Sequence, residues 1–344
     1  MRDLKNNLIT YGKGSTNIQS KRTKSFGYQI LGFGSGGGAA AQASFDYLVI
    51  AGGGATGGGL FGGGGAGGFR TSFPGGTKIL VESGTTITVG AGGVAGTYPV
   101  SGADLIAGHG SDSIIAGVDV TLTSAGGGIK NDGAAYPGSP EPGPVNATVR
   151  DGGSGAGTGH QGTLEGVGNT PPVSPSQGNP GGPGGGSYAS SGGGGAGGAG
   201  VNGVTPGSPS NNAGAGGPGT ANTIAPAFPL GTTYAGGGGG GAYNFNGGAG
   251  GPGGGGAGGN SPANPGSTSG VKGTDGLGGG AGGAGNGTTS PNTFAGGSGV
   301  VFLRIATSSA PGIAVTPGTN TTATVSSDTV CTFTVPGTVT FGAA

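Results

Sequence analysis

Histidine and cysteine are the residue types best suited to metal binding, and this chain has few of them. Its two histidines, His109 and His160, each stand alone in a glycine-rich segment without a second histidine or cysteine at ligand spacing. The single cysteine, Cys331, leaves no intrachain disulfide to form and supports no inference about redox compartment. We therefore expect no metal site and no cofactor.

The segment "AGHGSDSII", residues 107–115, imitates one calcium-binding nonapeptide of a β-roll. Such a roll needs several nonapeptides in tandem, and the nearest echo, at 102–104, is offset by eight residues instead of nine. A glycine turn before a strand is the better interpretation.

The 12 acidic residues are scattered, so no paired carboxylates suggest glycoside cleavage. GxGxxG-like strings do not indicate a nucleotide-binding site at this glycine content, because no βαβ unit surrounds them. These observations predict a protein that is not an enzyme.

Aromatic side chains between the glycine blocks are the remaining candidates for recognition, because aromatic faces stack on sugar rings and anchor interfaces. We predict that receptor-contact loops carry five of them: Tyr136, Tyr188, Tyr234, Tyr243 and Phe245. The alternative is that these rings are small hydrophobic plugs that seal the ends of glycine rods.

Glycine sets the elements that must position these rings. The 344 residues include 99 glycines and 23 prolines, a content typical of disorder, but the net charge is zero and only 7% of residues are charged. An uncharged chain of this kind is expected to pack, and its buried backbone groups must then pair with one another.

Polyglycine II helices satisfy this requirement, because they have three residues per turn and no internal hydrogen bonds. The unbroken run 236–241 would span about 19 Å in that form. The predicted fold class is mostly β and irregular, with packed polyglycine II helices, short β-strands and few or no α-helices.

Six short apolar segments bounded by glycine predict β-strands. They are residues 45–51, 78–81, 85–90, 112–115, 119–123 and 300–305. Segments rich in Pro, Ser, Thr and Asn, such as 169–180 and 260–270, are predicted to be loops that cap glycine rods. The central domain is predicted to span residues 39–306.

Residues 1–38 hold half of all lysines and arginines, followed by a short segment rich in aromatic and apolar residues. We predict that this region attaches the chain to other proteins. The candidate anchor residues are Phe26, Tyr28, Ile30 and Phe33. A frayed tail with an edge strand is the alternative. The basic arm lacks aromatic interleaving and a recognisable module, which disfavours nucleic acid as a partner.

Residues 307–344 lose their glycine and become rich in Thr and Val. The segment "TVCTFTVPGTVTF", 329–341, alternates with period two around Pro336-Gly337 and predicts a β-hairpin unit. Neither a signal-peptide core nor a stretch of about 20 apolar residues occurs, so we expect no membrane insertion and synthesis in a host cytoplasm.

Several motifs recur in an order that carries a resemblance. They are "FDYLVIAGGGATGGG", "GGGGAGGF", "TTITVGAGGVAG", "GHGSDSIIAG", "TLTSAGGG" and "GGSGVVFLRI". The series, over residues 45–306, resembles the glycine-rich domain of bacteriophage tail-fibre and receptor-binding adhesin proteins. "TFTVPGTVTF" also looks like a hairpin that commonly precedes that domain, although here it follows it.

The resemblance implies a virion protein built from layered polyglycine II helices whose distal loops contact the host. We therefore expect a tail fibre, spike or adhesin that binds other virion proteins through its N-terminal region. A host-surface glycan or outer-membrane protein is its expected receptor. Whether it forms a homo-oligomer stays open, because no heptad or triple-helix signal is present.

Two alternatives remain at this point. One is a capsid decoration or joint protein without receptor recognition. The other is an ice-binding polyglycine II protein, although the sequence shows no regular triplet throughout and no disulfide.

Overall fold

Short apolar strands and long glycine runs alternate along the chain, and both are built from backbone hydrogen bonds. The structure, a computed structural model, describes residues 40–57, 61–96, 107–129, 149–159, 162–184, 188–204, 212–243, 245–260, 269–285 and 294–344. Residues 42–344 form one compact unit. The candidate anchor residues Phe26, Tyr28, Ile30 and Phe33 lie outside the described residues.

Thirteen strands are described, and none of the described residues forms an α-helix. The strands are β1 (Gln42–Ile50), β2 (Phe69–Thr71), β3 (Ile79–Glu82), β4 (Thr85–Thr88), β5 (Ser113–Ala116), β6 (Thr121–Ser124), β7 (Thr220–Ala221), β8 (Thr233–Tyr234), β9 (Val300–Ala306), β10 (Ala314–Thr316), β11 (Thr321–Val325), β12 (Asp328–Phe333) and β13 (Gly337–Thr340). All six strands predicted from the sequence are confirmed, as is the mostly β and irregular fold class.

The strands form two larger antiparallel sheets and one small hairpin. A six-stranded sheet has the order β11-β12-β9-β1-β2, and β3 also pairs with β1. A five-stranded sheet has the order β10-β13-β4-β5-β6, and β7 pairs with β8 alone. In β9 both faces are covered, since Val300, Val301, Phe302 and Leu303 are all fully buried.

The predicted hairpin around Pro336-Gly337 is wrong. Strand β12 lies between β11 and β9 in the six-stranded sheet, whereas β13 lies between β10 and β4 in the five-stranded sheet. Both edges of each strand are therefore occupied by other strands, and the Pro336-Gly337 turn carries the chain from one sheet to the other. The C-terminal strands extend the sheets of the main domain.

Six strands adjoin glycine runs along the chain, three of them preceding a run and three following one. In the six-stranded sheet, β1, β2 and β9 adjoin the runs 51–56, 61–68 and 294–299, and in the five-stranded sheet β4, β5 and β6 adjoin 90–94, 107–111 and 125–129. The strands thus fix the position of one end of each run. We call the end of the domain that holds the sheets the sheet end.

The run 235–242 shows how the glycine runs bind one another. The amides of residues 236–242 donate in turn to three neighbouring runs, with every third amide reaching the same neighbour at 2.9–3.2 Å, and the amide of Ala235 donates to Leu277 at 2.8 Å. Gly236, Gly239 and Ala242 reach the run 253–260, as shown by acceptors Gly253, Gly256 and Gly259. A repeat of three residues with no bonds inside the run is the pattern of polyglycine II.

The same run accepts hydrogen bonds from three further runs, 189–197, 246–252 and 277–285. It therefore has six neighbours, as a rod in a hexagonal lattice does. Four other runs also have six hydrogen-bonded neighbours among the described residues: 51–56, 61–68, 189–197 and 277–285. These five runs are the interior of the bundle.

The spacing of the lattice leaves no room for a side chain on most of these glycines. A Cβ atom added to Gly238 would lie 1.8 Å from the carbonyl oxygen of Ala281, and one added to Gly241 would lie 1.9 Å from that of Ala284. Both obstructing groups are backbone of a neighbouring run, which cannot move without breaking its own hydrogen bonds. Glycine is thus required by the close approach of the rods.

Outer runs show where side chains are allowed. In the run 246–252, Asn246, Ala249 and Pro252 are exposed, and the residues between them are buried or half-buried. Every third residue of an outer rod points to solvent, so the three-residue turn places side chains there at about 9 Å intervals. Proline fits such a position because its missing amide would have faced water.

A substitution in the interior tests this lattice. We expect Gly238→Ala to lower the free energy of unfolding by about 3 kcal/mol or more, because overpacking against rigid neighbours is costly. Urea unfolding followed by circular dichroism measures the change.

Gly57→Ala is the matched control, because its added Cβ would lie 3.5 Å from the Phe61 ring, an ordinary contact. We expect it to change stability by less than about 1 kcal/mol. Equal effects of the two substitutions would contradict a lattice whose spacing excludes Cβ atoms.

Candidate functional site

The glycine runs end, opposite the sheets, in small apolar clusters. Ala55, Ala107 and Ile129 form one cluster, with Val149 packed against it. Ala189, Ala213 and Ala242 form another. These residues end different runs, and backbone bonds such as Ala55 N–H to Gly108 O (3.1 Å) tie the runs together there. We call this end of the domain the far end.

Two of the predicted receptor-contact residues, Tyr188 and Tyr243, meet at the far end. The amide of Tyr243 donates to the carbonyl of Tyr188 at 2.8 Å, and Ala189 and Ala242 form an antiparallel bridge beside them. The two ring centroids are 5.5 Å apart with an interplanar angle of 38°. Both residues are partly exposed, so the pair presents aromatic surface on a backbone fixed by the lattice.

Phe245 fits the alternative interpretation of the aromatic residues. Its partly buried ring packs against the cluster of Ala189, Ala213 and Ala242. It therefore covers the ends of three runs as a hydrophobic plug, next to the tyrosine pair.

Tyr234 is not a receptor contact. It is fully buried at the sheet end, in a core that includes Leu48, Ile50 and Phe302. Its ring lies 6.2 Å from that of Phe228 and 5.8 Å from that of Phe302. Tyr234 is the last residue of β8, and its ring packs against side chains of β1 and β9, where an aromatic side chain fills volume that the glycine runs cannot fill.

Tyr136 lies outside the described residues, and so does the second histidine, His160. His109 is described, and burial lowers its pKa while the backbone of Gly127 and the carboxylates of Asp151 and Asp112 oppose that shift. Asp112 Oδ1 accepts the amide of Gly126 at 2.8 Å. The aspartate of the calcium-like segment thus caps a backbone donor of the run 125–129.

The described residues hold no cluster of three or more metal-ligating side chains. Within the same residues, no helix is long and apolar enough to cross a membrane. Cys331 is buried in β12, and burial raises its pKa to about 12, so its thiol is held neutral.

The segment 169–180, predicted to be a capping loop, packs at the sheet end. Gln177 is 1% exposed, and its Oε1 accepts the amide of Ala125 at 2.9 Å. Its carbonyl accepts the amide of Phe69 at 2.8 Å, and Asn169 Oδ1 accepts the amides of Val173 and Gln177. The segment caps the rods, as predicted, through side-chain amides.

Such amide side chains were not identified as functional positions from the sequence. Asn222 Nδ2 donates to the carbonyl of Phe73 at 2.8 Å, and Asn320 Oδ1 accepts the amide of Thr334 at 3.0 Å. Each replaces a backbone partner where a regular element stops. The available signal was an Asn or Gln in a segment otherwise made mostly of Thr, Ser, Pro and small residues.

The strand-and-glycine pattern now described has a counterpart in a family model. A model described as a glycine-rich domain matches residues 36–306. The chain belongs to the glycine-rich domain family. The matched region of this glycine-rich domain holds both tyrosines of the far-end pair and all the glycine runs. No curated protein and no solved structure matched the chain.

The buried hydroxyl of Tyr234 generates a testable prediction. No described atom forms a hydrogen bond with it, and burying such a group costs about 1–3 kcal/mol. We expect Tyr234→Phe to raise the free energy of unfolding at pH 8 by about 1 kcal/mol. Tyr243→Phe, at a partly exposed ring, is the control and should change it by less than about 0.5 kcal/mol.

The same residue gives a pH dependence. Burial raises the pKa of Tyr234 from 10.0 to about 12. Because the pKa of Tyr234 is higher in the folded chain than in the unfolded chain, its contribution to the free energy of unfolding is complete below pH 10. That contribution is lost as the pH rises towards 12. The advantage of Tyr234→Phe over wild type should therefore widen by about 1.4 kcal/mol at pH 11. Urea unfolding at pH 8 and pH 11 measures it, and an unchanged advantage would contradict a buried phenol.

Proposed function

We propose that this chain is a non-enzymatic structural protein of a bacteriophage particle, a tail fibre, spike or adhesin. In this proposal the sheet end faces the particle and the far end faces the host surface. The observation that carries it is the polarity of the domain. Strand β1 begins at Gln42 in the sheets, and the C-terminal strands also lie there, whereas the glycine runs present their ends and the tyrosine pair at the opposite end.

The rigidity of the bundle supports a presenting role. Backbone bonds hold the tyrosine pair at the ends of two six-neighbour runs, 189–197 and 235–242, so little conformational entropy is lost when a partner binds. The order of the sequence motifs, which resembles phage tail-fibre and adhesin proteins, is the reason for placing the protein on a phage particle.

The low charge of the chain bears on how the site would bind. With a net charge of zero, long-range electrostatic steering of association is weak. Binding would rest on stacking and hydrogen bonds at the far end and on several copies per particle, which raises the overall affinity through effective concentration. A neutral surface glycan or the exposed loops of an outer-membrane protein fit this chemistry.

A binding assay on intact bacterial cells tests the proposal. The full chain carries a fluorescent label, and its binding to a panel of bacterial strains is measured. We expect binding to some strains and a loss of about thirtyfold for Tyr188→Ala combined with Tyr243→Ala, since a hot-spot tyrosine contributes about 2 kcal/mol.

The matched control combines Val118→Ala with Val120→Ala. These side chains are 41% and 56% exposed in the β5–β6 turn at the sheet end. The control should bind as wild type does. If antibodies against the chain label phage particles but no strain is bound, a decoration or joint protein is the better description, and if no particle is labelled the proposal fails.

The triplet pattern of the outer runs favours a second candidate, an ice-binding protein. Asn246, Ala249 and Pro252 stand at a regular interval on one outer rod, and Ala257 is exposed on the next. Regularly spaced small side chains on a rigid surface can order water. A thermal-hysteresis measurement on the purified chain decides this candidate, which predicts a depressed freezing point that depends on protein concentration.

A further inference from the structure

Every open β-sheet has edges whose unpaired amides and carbonyls can bind another strand, and most edges here are covered. Strand β2 has three residues, and Asn222 donates to Thr71 Oγ1 beside it. On β6, the guanidinium of Arg70 donates to the carbonyl of Thr123 at 3.1 Å. On β3, the carbonyl of Leu80 accepts the amide of Val118 at 2.9 Å.

Strand β10, the remaining edge of the five-stranded sheet, has only three residues and is followed at once by Pro317. A short strand that ends in proline is a poor template for pairing. Each of these edges therefore carries a feature that discourages a further strand.

Strand β11 carries none of these features within the part of the chain that the structure describes. It is five residues long, has the sequence TTATV, and contains no charge, glycine or proline. Its first four residues are exposed, and it ends the six-stranded sheet beyond β12. Threonine and valine favour extended structure, so the strand is ready to accept another.

The register with β12 shows which backbone groups are free. Val325 pairs with Asp328 across the two-residue turn of Ser326 and Ser327. Such a turn closes on a hydrogen-bonded pair, and hydrogen-bonded and non-bonded pairs alternate along an antiparallel ladder. Thr321, Ala323 and Val325 thus bond to β12, and the amides and carbonyls of Thr322 and Thr324 point off the edge.

We propose that β11 is a self-association surface, on which β11 of a second copy of this chain pairs antiparallel about a twofold axis through Ala323. In this register Thr322 of each copy faces Thr324 of the other. Both are residues with free backbone groups, so two hydrogen-bonded pairs form and Ala323 faces its own counterpart. The strand is self-complementary in backbone pattern and in side-chain type.

The same geometry limits the strength of the pairing. An edge of five residues on each side is small beside the roughly 1,200 Å² of a stable interface. We expect reversible dimers at protein concentrations above roughly 0.1 mM, and stronger association where several copies are held close together. This pairing would form whether or not the far end binds a host surface.

Charge substitution at the twofold axis tests the register. Ala323→Lys and Ala323→Glu each place two like charges directly opposite, which disfavours pairing. Sedimentation velocity of the full chain should show a dimer for wild type, at least a tenfold weaker one for each variant, and recovery when the two variants are mixed. Ala314→Lys on the β10 edge is the control and should dimerise as wild type does.

Cross-linking gives a second readout. Cα atoms of a non-hydrogen-bonded antiparallel pair are about 4.5 Å apart, within the range that a disulfide spans. Ala323→Cys should therefore form an intermolecular disulfide at least ten times faster than Ala314→Cys, another exposed edge position. Native Cys331 is buried and does not interfere.

The outcomes separate the possible results. Dimers that the Ala323 charges weaken and the mixture restores support the pairing. A chain that stays monomeric at about 1 mM, a dimer unaffected by charge at position 323, or equal cross-linking of the two cysteine variants would overturn it. Circular dichroism of each variant confirms that an exposed substitution leaves the fold intact.

Discussion

The whole domain depends on one interaction, the backbone hydrogen bond between neighbouring glycine runs at a spacing that excludes Cβ atoms. Each interior run uses its three-residue turn to bond to six others, which pairs backbone groups that would otherwise be buried without partners. Among the described residues, the clusters of buried apolar side chains, the usual source of stability, lie at the sheets and at the rod ends. Composition follows from this constraint: glycine, with an occasional alanine or serine, stands where rods touch, and larger side chains stand where a rod faces solvent or ends.

The sheets solve a problem that the glycine runs cannot solve alone. A glycine run has no side chain with which to select its neighbours, so its register must be set elsewhere. Six strands, whose apolar side chains do specify pairing, adjoin six runs and fix the position of one end of each run. Amide side chains such as Gln177 then cap the backbone donors left where strands and runs stop. One end of the domain therefore determines the arrangement, and the opposite end is free to carry other residues.

Much of this organisation could be predicted from the sequence, because local patterns determine it. The six predicted strands have alternating or continuous apolar residues bounded by glycine, and uncharged glycine blocks imply backbone pairing. The site was less predictable: Tyr188 and Tyr243 meet, Phe245 packs as a plug, and Tyr234 is buried at the other end. A tyrosine between glycine blocks has the same kind of local sequence at either end of a rod. Only the direction in which each run crosses the bundle decides whether that tyrosine lies at the sheet end or at the far end. The Pro336-Gly337 error has a similar cause, since a turn signal does not say which strands already occupy the neighbouring edges.

Residue-resolved amide hydrogen exchange on the purified chain tests the central claim most directly. If the glycine runs form a six-neighbour lattice, the amides of 236–241 exchange as slowly as those of the central strand β9, and with it in a single cooperative unit. Exchange of the 236–241 amides at the rate of an unstructured chain, while β9 stays protected, would show that the glycine runs are not held by backbone hydrogen bonds.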